Sequence, residues 1–218
     1  MTTPLTVYGN NAASGTLSTA NQLESSSAGT TSASVNTLIG TVIGYGEIYA
    51  QGNAGTWPGL GLIGNPSGNG FLFDVATLEG QQIIAGNWTP ALRTALSTGT
   101  ATADMYVRAY KYNSGTYTLI GSMLKSSCAL TTTITTYTFS ATSLLGMAFA
   151  TGDRLYLDHW LNITVAGGTG ATYHLQECNQ AGLGRPNNFQ IATPGYVVAP
   201  VVSTSQLIRK HHVVGRIR

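Results

Sequence analysis

From Arg154 onward, apolar and polar residues alternate without a break for twelve positions. Leu155, Leu157, His159, Leu161, Ile163 and Val165 fall on one parity, and Arg154, Tyr156, Asp158, Trp160, Asn162 and Thr164 on the other. Successive side chains of a strand point to opposite sides of a sheet, so a period of two held this long predicts a strand with one face on a core. Ala103, Met105, Val107 and Ala109 alternate in the same way with Asp104, Tyr106, Arg108 and Tyr110. That second strand runs through Lys111 and Tyr112 into Asn113-Ser114-Gly115, a hairpin turn, and the chain returns from Thr116 to Gly121.

Around these two strands the sequence predicts several shorter ones. LIGTVIGYGEIY, from Leu38 to Tyr49, reads as the first core strand, with Gly40, Gly44 and Gly46 on one parity where another backbone can approach. Phe71–Val75, Gln82–Ala85 and Trp88–Leu96 are further strands, and Pro90 places the last near an edge. Thr131–Phe139 is too β-branched for a helix and is expected to be a strand with one wet or subunit-facing side. Leu144–Phe149 is a helical turn or a strand leading into Gly152-Asp153. Gly167–Gly170 then joins the long strand to Thr172–Asn179 as a second hairpin. No segment carries a capped apolar stripe of period 3.6. Seven to nine strands between glycine-rich turns predict an all-β fold, an antiparallel β-sandwich or jelly roll with extended N- and C-terminal arms.

Three regions follow from the composition along the chain. Residues 1–34 read as an extended Ser/Thr/Gly-rich N-terminal arm, 35–192 as the β-sandwich domain, and 193–218 as an extended basic C-terminal arm. Within the domain, residues 51–70 form a Gly/Asn/Pro-rich loop carrying Trp57, long enough to be contact-making.

Charge sets the class of function. Only 8% of the 218 residues are charged, against about a quarter in an average soluble domain. Yet 43% are apolar, enough to build a core. A neutral Thr/Ser/Asn surface has little repulsion to keep copies apart, which favours assembly. The few charges are also segregated. Before Arg93 the chain has Glu24, Glu47, Asp74 and Glu79 and no base, whereas the last ten residues carry Arg209, Lys210, Arg216 and Arg218 and no acid. Ends of opposite sign suit contacts between an arm and its neighbour, and a basic tail also suits nucleic acid. The four basic residues are therefore the expected arm contacts. No secretory signal and no membrane span are expected. Cys128 and Cys178 have no metal-ligand spacing; they either pair across neighbouring strands or stay as two buried thiols.

Little in the sequence points to catalysis or a cofactor. Gly59, Gly61 and Gly64 spell a dinucleotide fingerprint, but Asn65-Pro66 follows where a helix should continue. Asp158 and His159 lie on opposite strand faces and cannot act side by side. His159 shares its face with leucines and reads as a core or interface histidine, while His174, His211 and His212 lack a nearby third ligand for a metal. The eight carboxylates are scattered, and no G-x-S-x-G elbow is present. The expectation is a protein that is not an enzyme and holds neither metal nor cofactor. Aromatic residues offer more. Tyr106, Tyr110 and Tyr112 share the non-core face of one strand, and Tyr156 and Trp160 that of the other; with Trp57 they form the candidate contact surface, for a second subunit or for a glycan.

The stretch FDVATLEGQQIIAGNWTPALRTALSTGTATADMYVRAYKYNSGTYTLIG, with TYTFSAT and FATGDRLYLDHWLNIT after it, resembles the jelly-roll β-sandwich domains of tailed-bacteriophage virion proteins and related bacterial surface proteins, over about residues 71–165. The resemblance implies a structural role, such as capsid decoration or another outer component of the virion. It implies as partners other copies of the chain and a virion protein such as the major capsid protein, with assembly in the host cytoplasm. A carbohydrate-binding sandwich and a bacterial extracellular filament or surface-layer subunit are the alternative expectations.

Overall fold

The two segments of strict alternation pair with each other. In the computed structural model, which describes residues 1–24, 44–48, 64–74, 76–96, 99–167, 175–177 and 189–199, they run antiparallel from Tyr112 opposite Arg154 to Thr100 opposite Gly167. The described strands are β1 (Thr6–Ala13), β2 (Asn21–Glu24), β3 (Gly44–Ile48), β4 (Phe71–Leu72), β5 (Gln81–Ile83), β6 (Gly86–Leu96), β7 (Thr100–Asn113) and β8 (Thr116–Leu130). After these come β9 (Thr135–Thr138), β10 (Thr142–Leu144), β11 (Met147–Phe149), β12 (Arg154–Gly167), β13 (Leu175–Glu177), β14 (Phe189–Ala192) and β15 (Tyr196–Val198). One short 3₁₀ turn, Ala76–Leu78, is the helical element among the described residues.

The hairpin between β7 and β8 closes as its sequence predicts. Ser114 and Gly115 both have positive φ, 46° and 89°, the twist that a two-residue turn needs to match right-twisted strands. The turn sets Tyr112 opposite Tyr117 and Tyr110 opposite Leu119. Two register shifts then interrupt the ladder, between Ala109 and Tyr110 and between Ala103 and Met105. At the second, Ser127 takes a left-handed conformation (φ 54°) and its N–H donates to Asp104 Oδ1 at 2.8 Å.

Most strands belong to one twelve-stranded sheet whose main path is β10-β6-β14-β1-β2-β4-β12-β7-β8, with β9 and β13 also on β6 and β3 also on β12. Its pairings are antiparallel except for β2 with β4. The path curls so that β8 packs against β6, β9 and β10 from the other end. A smaller sheet, β11-β5-β15, completes the fold. Between the layers lies the main core, with Val7, Phe73, Ile83, Trp88, Leu92, Met105, Val107, Met123, Leu155, Leu157, Leu161 and Ile191 among its members. The fold is thus the all-β antiparallel sandwich or jelly roll that the alternation predicts, with fifteen described strands where seven to nine were expected. Several are only two to four residues long, too short for a period of two to be visible.

The first 24 residues are not the expected arm. Strand β1 lies inside the sheet, with β14 on one side and β2 on the other, and Leu5, Val7 and Ala20 are buried. Three anchors and two ladders outweigh a composition that resembles a disordered terminus. At the other end, residues 193–199 also belong to the fold: β15 pairs with β5, Thr3 bridges Tyr196, and Thr193 Oγ1 donates to Leu5 O at 2.8 Å. Residues 25–34 and 200–218 lie outside the described residues.

Three further expectations are corrected. Strand β6 is interior, because Pro90 falls where one neighbour gives way to another: β10 pairs with 86–88 and β9 with 91–94. The Pro90 carbonyl accepts the Phe139 N–H at 2.9 Å on that side, so the N–H that proline lacks would point into the gap between them. Strand β13 pairs with β6, not with β12 as a hairpin would require. Finally, the alternation of β12 breaks at a bulge between Ile163 and Val165, which turns Val165 outward to 57% exposure.

Deleting residues 1–13 is expected to remove a sheet-interior strand and cost about 3 kcal/mol or more, read as a lower urea midpoint. An unchanged midpoint would mean that the segment is an arm after all.

Candidate functional site

The outer face of β12, β7 and β8 is where the chain places its most unusual side chains. In the ladder Arg108 stands directly opposite Asp158. The guanidinium grips the carboxylate with two donors, Nε to Oδ1 at 2.9 Å and Nη2 to Oδ2. Its Nη1 donates to Gly64 O at 2.8 Å. The Trp160 indole N–H donates to Asp158 Oδ2 at 3.1 Å, and the guanidinium carbon lies 5.1 Å from the Trp160 ring centre and 5.2 Å from that of Tyr110. Asp158 is fully buried. Burial pushes its carboxyl up, and the Arg108 and Trp160 donors pull against that. The arrangement is a charge-neutral, planar unit stacked with aromatic rings.

Beside it, Tyr110, Tyr112 and Tyr156 form a second buried cluster with Leu72 and Ala20, and Leu17 and Tyr117 pack against it. Tyr117 meets Tyr112 and Tyr156 at 5.0 Å between ring centres and Tyr110 edge-on at 6.1 Å. The expected aromatic contact surface is therefore covered: Tyr110, Tyr112, Tyr156 and Trp160 are all buried, and Tyr106 is half-buried. Two segments cover it. Ser14 and Gly15 both donate to the Asp74 carboxylate, at 2.7 and 2.9 Å, and Thr19 Oγ1 donates to Gly68 O at 2.8 Å. The Gly70 N–H donates to the Tyr156 hydroxyl at 2.8 Å. A Cβ at Gly70 would collide with the Leu157 carbonyl and lie 2.7 Å from that hydroxyl, so glycine is required for the approach. Trp57, Arg209, Lys210, Arg216 and Arg218 lie outside the described residues.

What the cover leaves is a cleft of about 470 Å³, lined by Gly64, Asn65, Pro66, Arg108, Tyr110, Tyr117 and Leu119. Sequence reasoning missed this lip. A two-residue turn fixes its own register, so Tyr117 opposite Tyr112 and Leu119 opposite Tyr110 were derivable; the approach of Gly64–Pro66 from a distant part of the chain was not.

The remaining candidate groups have structural partners. His159 lies on the core face, 4.3 Å from the Phe189 ring centre and 5.1 Å from that of Phe71. Asp153 accepts from Asn113, the Ala150 N–H and Lys111; these outweigh the effect of burial and hold its carboxyl below the usual range. Glu79 pairs with Arg154, which together with the Gly152 N–H lowers it likewise. Among the described residues no group of three His, Cys, Asp or Glu could hold a metal ion. His174, His211, His212 and Cys178 lie outside the described residues. Cys128 is a buried free thiol, pushed up to about 11 by burial.

No protein-family model matches the sequence, and no curated protein matches it. Among solved structures the chain is similar to the Eiger TNF from S. frugiperda at 12% identity, covering 78% of this chain and 95% of that one, with a TM-score of 0.28. A likeness at that score carries no argument about what this chain does.

Two expectations follow from the geometry. Arg108→Met leaves the Asp158 carboxylate buried and uncompensated and is expected to cost about 3–5 kcal/mol, whereas Arg108→Met with Asp158→Leu recovers most of it; a double-mutant cycle in urea reads the coupling. In a Cys178→Ser background, Cys128 is expected to react with a thiol reagent at pH 8 only on unfolding, because its thiolate is scarce and its sulfur inaccessible. Rapid labelling of the native protein would contradict its placement.

Proposed function

We propose that this chain is a non-enzymatic structural protein of a tailed-phage virion, a capsid decoration or other outer component that assembles with copies of itself and with a virion protein such as the major capsid protein. One observation carries the reading. Of the charged side chains described, all but Arg93 and Lys125 are held by an ion pair or a hydrogen bond among the described residues: Arg108 with Asp158, Lys111 with Asp153, Arg154 with Glu79, Asp74 with Ser14 and Gly15, and Asp104 with Ser127. Apart from these and from Arg93 and Lys125, the described exposed side chains are hydroxyl, amide and apolar. Protein interfaces are depleted of charge at their centres because ionised groups are costly to desolvate. A surface of this kind is inexpensive to cover. The sequence resemblance over about residues 71–165 supports the virion setting, in which the protein is put together in the host cytoplasm. The basic residues Arg209, Lys210, Arg216 and Arg218 are the proposed contacts with an acidic neighbour, protein in the first instance and nucleic acid in the second.

The test is mass per particle of the full-length protein by light scattering with negative-stain imaging, alone and mixed with empty capsids. Regular oligomers or decorated shells are expected. Truncation before Gln206 is expected to weaken that assembly while leaving the thermal midpoint unchanged, and replacing the four basic residues should flatten its salt dependence. A monodisperse monomer that binds no shell at any salt concentration would overturn the reading.

A further inference from the structure

The cleft beside Arg108 has a lining that selects its ligand. Its floor is the guanidinium, whose charge the Asp158 carboxylate already balances through two bonds. Among the described residues no other charged side chain lines it. An anion placed there would gain no net charge to pair with, and a cation would face Arg108. A wholly apolar ligand would strip water from the guanidinium and from the Asn65 amide without replacing its bonds. Arg108 carries more N–H donors than its bonds to Asp158 and Gly64 use, and Asn65, which is exposed, both donates and accepts. Against these polar groups stand apolar walls: the half-buried Tyr117 ring and Pro66, the margin of the buried Tyr110, and Leu119, which is 53% exposed at the rim. The ligand that matches is neutral, rich in hydroxyls on its edge and apolar on its face.

We infer that this cleft binds a neutral carbohydrate, of about one or two sugar units given a volume in the small-ligand range. The C–H face of a pyranose ring lies against Tyr117 and Leu119, and its hydroxyls accept from Arg108 and exchange hydrogen bonds with Asn65. Pairing Arg108 with Asp158 holds the donor in place, so little side-chain entropy is lost on binding. The inference is independent of whether the chain assembles on a particle, since the described lining comes from one chain.

The experiment is an array of neutral and acidic oligosaccharides probed with the full-length protein, followed by titration of the best binder. Binding to neutral glycans is expected. Asn65→Ala and Leu119→Lys, both at exposed positions, should each weaken it about five- to tenfold without lowering the thermal midpoint. Leu145→Lys, at an exposed apolar residue outside the cleft lining, should leave it unchanged. Failure of every neutral glycan to bind, preference for sialylated or sulfated ones, or equal losses in Leu119→Lys and Leu145→Lys would overturn the inference.

Discussion

Strand β12 has almost no contact with water from Leu155 to Leu161, and a strand buried on two faces must satisfy each by different chemistry. Its inner face is simple: Leu155, Leu157, Leu161 and Ile163 join the main core, with His159 held between the Phe71 and Phe189 rings. Its outer face carries polar atoms that cannot be left bare, since an unpaired buried group costs more than a made bond returns. The ladder answers the largest of these by setting Arg108 opposite Asp158. The Tyr156 hydroxyl is answered by the Gly70 N–H, and the Trp160 indole by Asp158. The cover over this face is therefore part of the fold rather than an ornament on it, because removing it would expose a tyrosine cluster and leave buried polar groups unmatched.

That dependence explains the topology. The cover comes from residues 14–20 and 64–72, and the first is positioned by β1, which is itself held between β2 and β14. Leu5 and Thr193, 188 residues apart, meet in the fold. The β1–β14 pairing cannot form until distant parts of the chain have been brought together, so closure of this sandwich is governed by long-range contacts rather than by local hairpins. Local pairings are also present, in β1 with β2 and in the hairpin of β7 and β8, whose turn residues specify it locally.

How much of this was legible follows the same division between local and distant. The β7–β8 turn, strand β7 and the core parity of β12 up to Ile163 were readable, because a period of two and a pair of turn residues are properties of adjacent positions, whereas β8 was read only to Gly121 and runs on to Leu130. The bulge that turns Val165 outward was not, since Thr164 has no feature that marks an irregularity. Nor was the partner of Asp158: the sequence places Arg108 and Asp158 on outward parities, but the register that brings them face to face is set by pairing across some fifty residues. The misreading of Tyr110, Tyr112, Tyr156 and Trp160 as exposed has one cause. Parity tells which face a residue occupies, and whether a second layer covers that face depends on segments whose Ser/Thr/Gly composition looks solvent-exposed.

The use of charge links the fold to the proposed function. With so few ionised residues, a protein can spend them on holding turns and a buried face, or keep them on its surface for solubility. Here the described ones are nearly all spent inward: Asp74 fastens the cover, Asp153 and Glu79 fix the turn into β12, and Arg108 and Asp158 neutralise each other beneath the cleft. The described outward-facing side chains are mostly neutral, and Leu119, Leu124, Leu145 and Val198 stand exposed among them. Such a surface offers a long-lived dilute monomer little protection against association. That is the property the proposed assembly uses, and the cleft lined by tyrosine, asparagine and a paired arginine is the part of the described surface on which the inferred small ligand would act.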